Sequence, residues 1–224
     1  MILLLNGPYW FRGIDALLGV VYIIVTLLIA AMSYRSYKIT EEKKYASFSI
    51  AFGLMSLAFC IYSLITLALT THISNTLSDI LTRFDSAFIV YMLLMFAAYT
   101  LLLVMTLKIE QKKVIILLFT LMFLFTVFSY QYYLKFHLVS FLLLFFLSHQ
   151  FYTNYLEKKN KNAKLVCIAF YLLTCAQVFF IAITYDLLFY VVADILQLLG
   201  FLVLFYMFLR IVYHGRETRT LRHH

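Results

Sequence analysis

The chain has 224 residues, 65% of them hydrophobic and 12% charged, with a formal net charge of +8. Soluble domains carry about twice that share of charge, and apolar runs of about 20 residues recur along the whole length, so the class is an all-α polytopic membrane protein and not a soluble domain. The positive charge sits in short segments between apolar runs, with no stacking platform and no Gly-rich phosphate loop, which argues against nucleic acid as a partner.

In chain order, the first ten residues hold a short Ile-Leu run and then Asn6, Gly7 and Pro8. They lack a basic start and a small-residue cleavage site and do not read as a signal peptide. Tyr9, Trp10 and Phe11 suit an interfacial aromatic belt ahead of the first span. Seven spans are expected over 13–34, 45–69, 86–107, 114–130, 134–155, 165–184 and 187–212, the fourth being the shortest. Backbone groups in hydrocarbon must pair within their own segment, and no alternating strand pattern competes, so the spans are helices. Residues 71–84 carry Ile73, Leu77, Ile80, Leu81 and Phe84 at helical spacing among polar residues. That pattern predicts a short amphipathic helix on the outer interface, or an extension of span three. Cys60, Cys167 and Cys175 all lie inside apolar runs and read as packing residues.

Fifteen of the 18 basic residues fall after spans one, three, five and seven; Arg12, Arg83 and Lys135 fall on the other side. The positive-inside rule then orients the N-terminus outside a cell membrane and the C-terminus in the cytoplasm. The basic face would meet anionic lipid headgroups. All five aspartates fall toward the outer side. Asp15, Asp85 and Asp186 are expected at helix starts, where a carboxylate caps free N–H groups and opposes the helix dipole. Asp194 lies about two turns inside the seventh span, too deep to cap, and an acid at that depth needs a partner or a polar cavity.

An offset of 118 residues aligns Tyr34 and Tyr37 with Tyr152 and Tyr155, Lys43 with Lys161, and Ile50, Ala51 and Phe52 with Ile168, Ala169 and Phe170. No gap is needed across spans one, two, five and six. The match implies two parallel three-helix units, 13–107 and 132–213, joined by the connector helix 114–130 within a single transmembrane domain. This 3+1+3 plan resembles that of the SWEET transporters, whose architecture is a habit of solute carriers. The Pro-Gln pair of the wider PQ-loop group is missing, and the single proline, Pro8, lies outside the spans. Separately, Gly13-Ile14-Asp15, the stretch from Tyr34 to Thr40, and the stretch from Phe48 to Phe52 resemble uncharacterised archaeal seven-helix membrane proteins. That resemblance implies a fold family and an archaeal cell membrane.

Four side chains are candidates for a ligand or ion site. Asp194 and Gln197 are three apart and share a helix face. Gln177 lies about two turns from the outer end of span six, and His137 one turn into span five. All four fall at similar depth, where they would line an outer-half pocket or hold helices together, with Asp194 accepting from Gln177, His137 or a tyrosine. A metal centre drawn from His137, Asp194, His72 and Asp85 has no ligand-pair spacing and is not expected. No cofactor is expected either: span seven has no lysine, which excludes a retinal linkage. No nucleophile–base pair marks an enzyme. Two functions are left. The first is a transporter-like bundle moving a small solute or cation past Asp194. The second is a seven-helix receptor or sensor scaffold that binds a ligand outside and a partner at its basic face.

Overall fold

The computed structural model describes residues 8–70, 77–128 and 132–220. A 3-10 turn, Tyr9–Phe11, leads into α1 (Arg12–Thr40), followed by α2 (Lys43–Thr70), α3 (Leu77–Thr106), α4 (Lys112–Val127), α5 (Tyr132–Lys158), α6 (Lys161–Ala182) and α7 (Leu188–Thr220). Six of these helices are long and apolar enough to cross a membrane. The exception is α4: its 16 residues rise about 24 Å, and a span needs about 20 residues. The expected fourth span therefore exists as a helix but falls short of the others.

The helix starting at Leu77 runs without a break into the third span. Within the described residues, then, the amphipathic stretch takes the second of its two expected forms, an extension of span three; residues 71–76, His72 among them, lie outside the described residues. The extension also corrects one expectation. Asp85 is the ninth residue of α3, not part of its first turn, so it cannot cap that helix. Asp186 does act at a helix start: its Oδ1 accepts the amide of Leu188, the first residue of α7, at 2.9 Å.

The helices pack in the order α1 on α2, α2 on α3, α3 on α5, α5 on α6, α6 on α7 and α7 on α1, which closes a ring of six. Helix α4 packs against α3. Each ring helix turns one stripe inward. On α1 the stripe is Tyr22, Val25, Thr26, Ile29, Ala30 and Ser33; on α5 it is His137, Ser140, Leu143, Leu144, Leu147 and Ser148. The outward faces carry large apolar side chains, such as Leu17, Val20, Ile24 and Leu27 on α1 and Leu138, Leu142, Phe145 and Phe146 on α5. So much contiguous apolar surface is untenable in water and ordinary in lipid. The chain is a multi-pass integral membrane protein.

Serines and threonines tie the helices together. Ser49 Oγ and Ser56 Oγ donate to the carbonyls of Ala30 and Ile23 at 2.9 and 3.1 Å, linking α2 to α1. Ser148 and Thr174 join α5 to α6 at 2.8 Å. Small hydroxyls reach a carbonyl on a neighbouring helix without parting the backbones. Gly200 permits a close approach of α7 to α6: a Cβ there would lie 2.9 Å from Leu173 Cδ2 and 3.1 Å from the carbonyl oxygen of Ala169.

Local structure also repeats at the 118-residue offset. Helices α1 and α5 end at Thr40 and Lys158, and α2 and α6 start at Lys43 and Lys161. In each intervening turn a non-glycine residue takes left-handed backbone, Glu41 at φ 58° and Lys159 at φ 48°. Their amides donate to the carbonyls of Tyr37 and Tyr155 at 2.7 and 2.8 Å. The two ends of the ring differ in charge. One gathers the lysine-bearing starts of α2 and α6 with the ends of α3 and α5; the other gathers Asp15, Asp194 and a group of tyrosines.

Candidate functional site

The carboxylate-bearing end holds a buried polar cluster to which all six ring helices contribute, α2 through Tyr62. Helix α1 brings Asp15, Gly19 and Tyr22, which lie on one face because they are spaced by four and three residues. Helix α7 brings Tyr190, Asp194 and Gln197 by the same spacing rule, α5 brings Tyr133 and His137, α6 brings Gln177, and α3 brings Tyr91 and Tyr99.

Two tyrosine–carboxylate pairs cross between α1 and α7. Tyr190 Oη donates to Asp15 Oδ1 at 2.8 Å. Tyr22 Oη lies 2.7 Å from the main-chain oxygen of Asp194 and 3.3 Å from its Oδ1. The partners are reversed along the two helices: α1 carries its acid first and then its tyrosine, α7 its tyrosine first and then its acid. Asp15 thus has a different task from the expected one. It sits in the first turn of α1, but it is buried and accepts from another helix instead of capping its own. The hydroxyl on α7 gives this largely buried carboxylate the hydrogen bond that burial would otherwise deny it.

A third pair lies alongside. His137 Nδ1 and Gln177 Oε1 are 2.8 Å apart; with the amide oxygen facing the ring, Nδ1–H donates and Nε2 is left as an acceptor. The imidazole stacks on Phe180 at 4.6 Å and meets the edges of Tyr133 and Phe136. All four expected site residues, His137, Gln177, Asp194 and Gln197, are buried and face one cavity. They do not form one network. Asp194 takes its hydrogen bonds from Tyr22, the tyrosine alternative, while His137 and Gln177 satisfy each other.

The cavity measures about 40 Å3. Two buried polar atoms at its wall lack a hydrogen-bond partner, Asp194 Oδ2 and Tyr133 Oη. Its described lining includes two carboxylates and no lysine or arginine, so the cavity is complementary to positive charge. Among the described residues, no three His, Cys, Asp or Glu side chains converge in a way that would hold a metal ion.

Beneath the cavity lies a packed apolar layer. Phe52 and Met55 on α2, Phe96 on α3, Leu144 and Leu147 on α5, Phe170 on α6 and Phe201 on α7 are all fully buried. Phe201 meets the rings of Phe59 at 5.8 Å and Phe52 at 6.4 Å. Comparison with protein-family models, curated proteins and solved structures finds no match to this chain.

Proposed function

We propose that this membrane protein is a transporter-like bundle of two parallel three-helix units, and that Asp194 binds the ion it moves, a small cation or a proton. The observation that carries the reading is Asp194 Oδ2: it is buried, has no partner, and faces a cavity lined by a second carboxylate. A water needs roughly 10–15 Å3 by this measure, so 40 Å3 suits a bare or singly hydrated ion and not a sugar-sized solute. The two-unit plan is supported by the matching turns at Glu41 and Lys159. Burial supports it as well: Ile29, Ala51, Phe52 and Ala58 are fully buried, and so are their counterparts Leu147, Ala169, Phe170 and Ala176.

On this plan α4 is the connector and the seventh crossing. Helix α3 finishes at the basic end and α5 starts at the carboxylate end, so the chain between them must traverse the bundle. The short α4 does so with the bilayer thinned around it. The orientation on this reading is N-terminus outside and C-terminus in the cytoplasm, which the lysine-bearing turns support.

The test uses the full chain in liposomes, with 22Na+ uptake and an internal pH dye as readouts. Gradient-driven uptake of one of the two ions is expected, lost in Asp194→Asn with the protein still folded. Uptake that is the same in Asp194→Asn overturns the role of Asp194. A second reading, a receptor or sensor scaffold, is favoured by the fully buried layer of Phe52, Phe96, Phe170 and Phe201. It predicts saturable cation binding at Asp194 with no uptake.

A further inference from the structure

A second and larger cavity opens at the basic end. Its volume is about 610 Å3, within the ~300–1,000 Å3 usual for small-molecule sites. The packed apolar layer separates it from the carboxylate cluster. On α2 the vestibule reaches up to Phe48 and the upper cavity begins at Phe59, an axial gap of about 16 Å.

The vestibule is built in two zones. Its depth is apolar: Phe48, Val104, Phe151, Met207 and Phe208 line it and are otherwise buried. Its rim is cationic: Lys43 and Lys44 come from the start of α2, Lys108 from the turn after α3, and Lys158 from the end of α5. Three separate segments thus deliver ammonium groups to one mouth. Glu42 pairs with Lys44, which also lies 4.8 Å from the centre of the Tyr45 ring. Among the described residues, Lys43, Lys108 and Lys158 form no ion pair. Glu110 is the one acid among the described lining residues, so the mouth keeps a net positive charge. Asn162, also at the wall, has a buried amide oxygen with no partner. Turned over, that amide presents two N–H donors instead.

A purely polar anion would leave the phenylalanine-lined depth empty or wet, and a neutral apolar molecule would leave the lysines unmatched. We propose that the vestibule binds an anionic amphiphile drawn from the membrane, with a carboxylate or phosphate head at Lys43, Lys108 and Lys158 and an apolar tail against Phe48, Phe151 and Phe208. The mouth lies at the basic end, where anionic headgroups concentrate, so the ligand enters at its own depth in the bilayer. This site stands apart from Asp194 and does not depend on the ion reading.

The experiment measures binding of tritiated palmitate to the full chain in nanodiscs of zwitterionic lipid. One saturable site per chain is expected. Unlabelled methyl palmitate, which has the tail without the charge, and inorganic phosphate, which has charge without a tail, should both fail to displace it. The triple variant Lys43→Gln/Lys108→Gln/Lys158→Gln should bind about a hundredfold more weakly, at roughly fivefold per charge. Ala163→Phe, which fills the wall from the first turn of α6 and keeps every lysine, should abolish binding while melting like the wild type. If the triple variant does not fold, Ala163→Phe decides alone, and Val166→Phe stands in for it if needed. Equal displacement by methyl palmitate, displacement by inorganic phosphate, or wild-type binding by a folded wall-filling variant overturns the proposal.

Discussion

Gly200→Ala tests whether the ring packs as closely as described. The added Cβ would lie 2.9 Å from both Cδ2 and Cγ of Leu173 and 3.1 Å from the carbonyl oxygen of Ala169. Carbon atoms rest about 3.5–4.0 Å apart, so roughly 0.6 Å or more must be found. Swinging Leu173 about χ2 moves Cδ2 but leaves Cγ in place, and the third contact is main chain of α6. Helices α6 and α7 must therefore separate. Overpacking of this kind costs about 1–3 kcal/mol, against about 1 kcal/mol gained by replacing glycine with alanine inside a helix. The net expectation is a loss of about 1 kcal/mol. Gly53→Ala is the internal control, because nothing lies within 4 Å of a Cβ there and only the gain of about 1 kcal/mol is left. Reversible unfolding in mixed detergent micelles should separate the two variants by about 2 kcal/mol in opposite directions. If Gly200→Ala is as stable as Gly53→Ala, the close approach of α6 and α7 is wrong. The register of α7 that delivers Asp194 and Gln197 to the cavity is then wrong with it.

Tyr22→Phe strips the donor from both the main-chain oxygen and Oδ1 of Asp194 and should cost about 1–3 kcal/mol in the same assay; a neutral result would mean that the α1–α7 seam is held some other way. Gln177→Leu leaves the Nδ1–H of His137 without its acceptor and should cost about 1–3 kcal/mol, whereas His137→Phe with Gln177→Leu should recover most of that loss because the ring contact with Phe180 survives. Additive losses in that double variant would show that the pair is not coupled.

The spans were legible because a 20-residue apolar run has few alternatives, and the turns at Glu41 and Lys159 were marked by the Tyr-x-x-Tyr pairs whose second tyrosines accept the capping amides. Helix periodicity also placed Asp194 and Gln197 on one inward face. Periodicity does not say which helix stands opposite. The Tyr22–Asp194 pair joins residues 172 apart in the chain, and nothing in the sequence around Tyr22 distinguishes it from the other tyrosines. Asp15 was misjudged for a related reason. Its first-turn position is visible locally, but its burial against Tyr190 is set by how α1 and α7 meet. The vestibule left no local mark at all. A cavity is a property of the spacing between helices, and its lysines carried only the topological meaning of a basic membrane face.

The position of the hydrogen bonds constrains any motion that could carry an ion through. The chain has one proline, Pro8, ahead of the helices, and Gly200 is clamped against α6, so bending at a hinge inside α7 has no obvious site. On the proposed two-unit plan the joints are instead the seams between units, α3 against α5 and α7 against α1. Both tyrosine–carboxylate pairs lie across the second seam. A cation or proton arriving at Asp194 Oδ2 would thus act on the contact that holds the two units together. Rigid-body rocking there could part the phenylalanine layer without unwinding a helix, because the other polar ties described, His137 with Gln177 and Ser56 and Ser148 with their partners, lie inside the units and would move with them. On the proposed reading, coupling between ion and bundle therefore runs through the seam that Tyr22 and Tyr190 close.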